Sequence, residues 1–378
     1  MNLTKKEKFS FGFGALGKDA ICCFVGNFLM FYFTDVLFLA PAFVGTLFFV
    51  ARIWDAINDP MRGMIVDNTH TRFGKFRIWL VIGTLVNSVV FVLLFHSFNL
   101  SGTALYVYVS VMYILYGMTY TIMDVPYWSW LPNLTNDPHE REKVSIIPRF
   151  FASLAGFSVA TFGLYIINYL NKAAGESNLY AENGYTIFAI IIAVIFIVTI
   201  GITVFNVKEE STVGVSAEKT SLKQAFHVIV KNDQLLAFIG LLLTFNLCTQ
   251  IAKSFAVYYF KCVCHDEYMY SIFGFAIIAE MVGLLCFPKI AAKISREKVY
   301  AFACGLPIVG FALLGVAGYV APQSKATVMG IRVLMLVIPI ILAFASLGIY
   351  KKYYTLKGGR MEEITRKVNE MHVKKQTA

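Results

Sequence analysis

The stretch WDAINDPMRG, residues 54 to 63, sets Asp55, Asn58 and Asp59 inside a run that is otherwise apolar enough for a membrane helix. Spacings of three and four residues bring all three to one helix face. Two carboxylates stacked there repel unless a cation lies between them or one of them keeps a proton. The set suits a small hard cation, which takes several oxygen ligands, or a proton held on one carboxylate. Arg52 or Arg62 offers a plainer neutralisation, and the residue types alone do not choose.

A second constellation lies in GMTYTIMDVPYW, residues 117 to 128. Gly117, Thr121, Asp124 and Trp128 recur along one stripe of a helix, giving a small residue, a hydroxyl, a carboxylate and an indole. A carboxylate accepts from two adjacent hydroxyls while an aromatic ring covers the C–H face of a pyranose, so the stripe fits a sugar. Without Asp124 beside it, Trp128 would read equally well as an interfacial anchor. Lys18 and Asp19 are also embedded in an apolar run. As neighbours they stand about 100° apart on a helix, so at most one is expected to face a given partner. Arg149 opens another apolar run, as a headgroup anchor or as a site residue. Pro126 lacks an N–H and loosens the helix beside Asp124.

The elements that must position these residues are membrane helices. The chain has 378 residues, of which 58% are hydrophobic and 15% charged, with a mean hydropathy of +0.66. Lipid offers no partner to backbone N–H and C=O groups, so each apolar run that crosses a bilayer must be helical. Ten spans are expected, near residues 10 to 38, 41 to 66, 76 to 98, 104 to 134, 143 to 170, 184 to 206, 234 to 260, 268 to 290, 298 to 320 and 327 to 350. The first run is too long for a signal peptide and contains Lys18 and Asp19. With the N-terminus inside, 24 Lys and Arg fall in the inner segments, against Lys172, Lys261 and Lys325 outside. That asymmetry places both termini in the cytoplasm. It also accounts for the net charge of +10 by proximity to anionic headgroups, with no nucleic acid.

Residues 1–206 are expected to form a six-helix bundle, 207–233 a cytoplasmic linker, 234–350 a shorter four-helix bundle and 351–378 a basic tail. The loop GMIVDNTHTRFGKFR, residues 63 to 77, carries a basic turn from Arg72 to Lys75. It reads as a positive-inside anchor and also as a gate, in which Asp67 caps a helix end while Arg72 and Lys75 lock neighbouring helices. Five cysteines lie in spans as small apolar residues. Cys262 and Cys264, beside His265, form the one pair with metal-ligand spacing.

GFGALGKD (12 to 19), VARIWDAINDP (50 to 60), RFGKF (72 to 76), YGMTYTIMDVPYWS (116 to 129) and PRFFASLAGF (148 to 157) resemble the melibiose permease group of glycoside-pentoside-hexuronide:cation symporters, which have the major facilitator fold. The resemblance implies a site for Na⁺, Li⁺ or H⁺ at Asp55, Asn58, Asp59 and Thr121. It implies a sugar site at Lys18, Asp19, Tyr120, Asp124, Trp128 and Arg149, and a coupling role for the loop holding Arg141. The implied activity is symport of a melibiose-like galactoside with the cation across a bacterial cytoplasmic membrane. No cofactor is expected beyond the co-transported ion, and the partners are a small sugar, a monovalent cation and lipid, with the protein monomeric.

Family members have twelve helices, whereas this chain passes near Leu313 to Gly318 from a ninth helix into what resembles the end of an eleventh. The fold expected is therefore all-α, with an incomplete C-terminal bundle. The alternative is a chain that binds cation and sugar without translocating, and a lipid or efflux carrier would want a more apolar cavity than Lys18, Asp19, Asp124 and Arg149 provide. Lys253 and Glu280 stand where the family has uncharged residues, and a pair between them is one reading; Lys253 snorkelling towards the outer face with Glu280 lining water is the other. An enzyme is not expected: there is no nucleophile, base and oxyanion arrangement, and the six His are scattered.

Overall fold

The computed structural model describes residues 4–69, 71, 73–135, 138–176, 180–209, 230–262, 276–294, 296–319 and 333–353. Among them all regular structure is helical: α1 (Lys5–Phe31), α2 (Pro41–Asp67), α3 (Arg77–Leu94), α4 (Gly102–Trp130), α5 (Pro138–Ala173), α6 (Glu182–Asn206), α7 (Asp233–Cys262), α8 (Ala276–Lys293), α9 (Arg296–Tyr319) and α10 (Ile338–Lys352). A π-helical turn, Tyr32–Val36, extends α1, and another, Val333–Val337, leads into α10.

A helix falls on each expected segment, and two begin five residues earlier than the apolar pattern suggests. α1 starts at Lys5 because Thr4 and Glu7 form a capping box, with Thr4 Oγ1 accepting from the Glu7 amide at 3.2 Å. α5 starts at Pro138, so Arg141 lies on a helix rather than in a loop. By length and composition, five described helical segments can cross a membrane: Lys5–Val36, Arg77–Leu94, Gly102–Asn133, Lys143–Ala173 and Glu182–Asn206. α2 is as long as α1 but carries Arg52, Asp55, Asp59 and Arg62 through its middle. The apolar parts of α7, α8 and α9 are shorter, at Asp233–Thr249, Ile277–Phe287 and Lys298–Leu313. α9 runs unbroken through Leu313–Gly318.

The helices divide into two packed units, residues 1–222 with 274–288, and residues 223–273 with 289–378. In the first, α1 packs along α5 and α6, α3 packs on α4 and α6, and α2 packs on α4. Small residues make the close approaches possible. A Cβ on Gly17 would lie 2.3 Å from Thr199 Oγ1 and 2.5 Å from the Phe196 backbone, and one on Gly83 would lie 2.8 Å from the Met123 amide nitrogen. At these contacts polar groups find partners, as lipid requires. Thr203 Oγ1 donates to the Ser10 carbonyl at 2.7 Å, and Tyr127 OH donates to the Phe11 carbonyl at 2.6 Å. The second unit is pinned in the same way. Tyr300 of α9 and Ser346 of α10 share a hydrogen bond of 2.6 Å, and Ser346 donates to the Leu241 carbonyl of α7 at 3.1 Å.

At one end of the first unit the chain leaving α6 turns back onto α3. Glu209 Oε1 accepts from the amides of Lys75 (2.7 Å) and Phe76 (2.9 Å), and Oε2 accepts from that of Arg77 (3.1 Å). These are amides at the start of a helix, where the chain has no carbonyl for them and the dipole favours an anion. The Arg77 guanidinium in turn donates to the Val204 carbonyl near the end of α6. Gly74 makes the approach possible: its φ is +102°, and a Cβ would lie 2.2 Å from Glu209 Oε2. Glu209→Gln is expected to lower stability by about 1 kcal/mol. Gly74→Ala should cost more, about 2 kcal/mol, since it adds strain to the clash. Thermal unfolding of the detergent-solubilised chain, followed by intrinsic fluorescence, measures both; equal midpoints for the two variants would contradict this order.

Candidate substrate and cation site

Four helices carry the residues singled out by type, and three of them contain a proline beside one of those residues. Pro60 follows Asp59 in α2, Pro126 stands two residues after Asp124 in α4, and Pro148 precedes Arg149 in α5. Each proline removes one rung of the helix ladder and leaves the carbonyl four residues earlier without its amide. The backbone is therefore least tightly tied where the polar side chains project.

Lys18 of α1 lies at the centre of one cluster. Its side chain is only 2% exposed, and its Nζ stands 2.7 Å from Asp124 Oδ1, 3.2 Å from Asp19 Oδ2 and 3.5 Å from Tyr120 OH. Three aromatic faces surround the ammonium, with ring centroids at 5.1 Å (Trp128), 5.6 Å (Tyr127) and 5.8 Å (Tyr120). Lys18 and Asp19 thus pair with each other, and of the two it is Lys18 that reaches Asp124. The lysine stem is long enough to bring its ammonium back over the neighbouring carboxylate.

At 2.7 Å and an effective dielectric constant near 20, the attraction to Asp124 is about 6 kcal/mol, comparable with the several kcal/mol needed to desolvate each ion. The second carboxylate and the rings tip that balance. Arg149 of α5 is exposed, with its guanidinium 5.9 Å from the Trp128 ring. Tyr127 fixes the platform from behind, stacked on Phe11 at 4.7 Å and edge-on to Trp128 at 5.4 Å. The result is an indole flanked by a carboxylate and two cations. Such a set presents acceptors, donors and an apolar face together.

The second cluster lies between α2 and α4. Arg52 Nη1 pairs with Asp55 Oδ2 at 3.3 Å, and its Nη2 donates to Tyr113 OH at 3.2 Å. Arg62 donates instead to the Met118 carbonyl of α4. The two arginines that could have neutralised the carboxylates therefore divide unequally. Asp55 has a cation beside it, whereas among the described residues no ion pair reaches Asp59. Asp59 Oδ1 and Asn58 Nδ2 are both buried without a hydrogen-bond partner.

Gly117 lets Asp55 come close to α4, since a Cβ there would stand 3.1 Å from Asp55 Oδ1. Thr121 donates its hydroxyl proton to the carbonyls of Gly117 (3.2 Å) and Met118 (3.1 Å). Its oxygen lone pairs remain as acceptors. Two carboxylates, an amide and a hydroxyl on facing helices can hold a small cation or a proton. Among the described residues no group of three or more His, Cys, Asp and Glu gathers as a metal-ion site. The Cys262, Cys264 and His265 side chains lie outside the described residues.

The residues expected to gate are more scattered. Lys75 contributes its backbone amide to Glu209, and its Nζ lies 5.2 Å from the Phe76 ring. Arg141 donates to the Thr135 carbonyl at 2.9 Å. Arg72 and the Asp67 side chain lie outside the described residues, as does the side chain of Lys253. Asn68 closes α2 through the Met64 carbonyl. The carboxylate that caps a helix on this loop is Glu209, which sequence reasoning missed. Gly74 in RFGKF was its one available signal.

These clusters belong to a chain with recognisable relatives. The family described as MFS/sugar transport protein matches residues 10–347. The chain belongs to that family. Its members are transporters rather than enzymes, and the chain is accordingly a multi-pass membrane protein of all-helical fold. It is 31% identical over 312 residues to the isoprimeverose transporter of Lactiplantibacillus pentosus, covering 82% of this chain and 64% of the relative. It is 28% identical over 326 residues to the lactose permease of Lactobacillus delbrueckii subsp. bulgaricus, covering 82% of this chain and 51% of the relative. It is 28% identical over 343 residues to the putative glycoside/cation symporter YagG of Escherichia coli K12, covering 88% and 71%. The chain thus spans about half to two thirds of the length of the first two.

Within this family member, Lys18→Met leaves Asp19 and Asp124 facing each other without their shared cation. The expected loss of stability is about 3 kcal/mol, the low end for a broken buried pair because Asp124 is partly exposed. Adding Asp124→Asn should recover part of it. A double-mutant cycle on unfolding midpoints measures the coupling, and strictly additive losses would show that the pair does not hold α1 to α4.

Proposed function

We propose that the chain is a glycoside:cation symporter of the cytoplasmic membrane, with both termini inside. The cation occupies Asp55, Asn58, Asp59 and Thr121; the sugar is held by Lys18, Asp19, Tyr120, Asp124, Trp128 and Arg149. The observation that carries this reading is the position of the two clusters on one helix: Thr121 and Asp124 stand three residues apart on α4, which packs against α2, where among the described residues no ion pair reaches Asp59. The relatives, an isoprimeverose transporter, a lactose permease and a putative glycoside/cation symporter, support the sugar and cation classes.

The chemistry follows from charge. A cation beside Asp59 compensates it, weakens its repulsion with Asp55 and draws α2 onto α4. Because α4 also carries Asp124 and Trp128, the same movement sets the acceptor and the ring for a sugar. Coupling between bound ligands is reciprocal, so the cation tightens the sugar and the sugar tightens the cation by the same factor. Na⁺, Li⁺ and H⁺ are the candidate cations, and a melibiose-like galactoside is the expected sugar.

Purified protein in proteoliposomes tests this. Counterflow of labelled melibiose or lactose should appear with Na⁺, Li⁺ or acid on the loading side and fall by at least about tenfold in Asp59→Asn, the effect of removing a charge that pairs with the bound cation. Sugar affinity that is the same with and without the cation would remove the coupling. Binding without counterflow would mark the chain as a binder that does not translocate.

A further inference from the structure

Glu280 of α8 lies in the same packed unit as α1 to α6 and plays no part in either cluster above. It stands in the apolar sequence AIIAEMVGLL, residues 276 to 285. A carboxylate there is strongly disfavoured facing acyl chains and must line protein or water. The structure gives it a partner: its Oε1 accepts from the Ser153 hydroxyl at 3.3 Å. Ser153 is four residues beyond Arg149 on α5, hence on the same face. Arg149 lies over the Trp128 ring. Trp128, Arg149, Ser153 and Glu280 therefore follow one another along one wall.

We propose that Glu280 is a further sugar-contacting residue that sets specificity, accepting hydroxyls from the part of a neutral glycoside that extends beyond the ring held by Asp124 and Trp128, and repelling uronates. The inference rests on the symporter reading. An ionised carboxylate is an acceptor only, with about four lone-pair positions, and Ser153 occupies one of them. The side chain is exposed, so the rest remain open to sugar hydroxyls. Charge points the same way. Lys18 and Arg149 are balanced by Asp19 and Asp124, and Glu280 makes the set net negative. Without it, Arg149 and Ser153 would suit a sugar carboxylate.

Equilibrium binding to the full chain in lipid nanodiscs tests this, with lactose and isoprimeverose as neutral probes, p-nitrophenyl β-glucuronide as the anionic one, and saturating Na⁺ throughout. Glu280→Gln should bind the neutral glycoside roughly tenfold more weakly, the effect of losing a charge-assisted hydrogen bond. It should bind the glucuronide at least about fivefold more tightly, as a repulsive charge is removed. Glu280→Asp, which keeps the charge but shortens the reach, should weaken the neutral sugar and still reject the glucuronide. Na⁺-dependent tryptophan fluorescence should be the same in all three proteins, showing that the cation site is intact. Unchanged sugar affinities in Glu280→Gln, with wild type binding normally, overturn the role of Glu280 alone. Wild type that binds neither neutral glycoside overturns the symporter reading, and this inference with it.

Discussion

A buried ammonium needs two carboxylates more than either carboxylate needs it, and this asymmetry organises the first helical unit. Lys18 has almost no contact with solvent, so α1 must stay where Asp124 of α4 can reach it. The small residues of α1 serve that requirement, letting α6 close behind it at Gly14 and Gly17. Tyr127 and Phe11 lock the same two helices through a stacked ring pair and a hydrogen bond. Packing and electrostatics agree on one register, as a uniquely folded helix bundle in lipid requires.

The α2–α4 contact is built the other way, with its compensation left unfinished. Arg52 and Arg62 reach across to α4 above and below the carboxylates, yet among the described residues the ion pair goes to Asp55 and none reaches Asp59. A fully neutralised pair would make a stable and inert joint. The buried oxygen of Asp59 leaves the joint dependent on what else arrives, and the prolines near the site helices' polar residues leave their backbones able to respond.

Much of this was legible from residue types, because charge in an apolar helix is a strong signal. Asp55, Asn58, Asp59 and Asp124 announce themselves by cost alone, and helical spacing assigns their faces. What the sequence did not disclose was the allocation of partners. Nothing in the spacing says that Arg52 takes Asp55 while Arg62 turns to a carbonyl, since both lie within a turn of a carboxylate. Nor does the 100° between Lys18 and Asp19 disclose that the two pair with each other, because a Cβ direction says little about a side chain with four rotatable bonds. The Arg141 segment read as loop because polar residues hide the first turns of a helix that leaves the membrane. Glu209 was overlooked because it sits after an apolar span, among linker residues that carry no periodicity.

That same glutamate changes where the first unit ends mechanically. By the helix pattern the linker would begin at Val207, tugging on the last turn of α6. With Glu209 gripping three amides at the head of α3, a pull arriving along the linker is delivered to α3 and, through Arg77, only secondarily to α6. α3 packs directly on α4, the helix that carries Thr121 and Asp124. The anchor point of the connecting chain is thus one helix removed from both polar clusters, a short lever between tension in the linker and the helix that joins them.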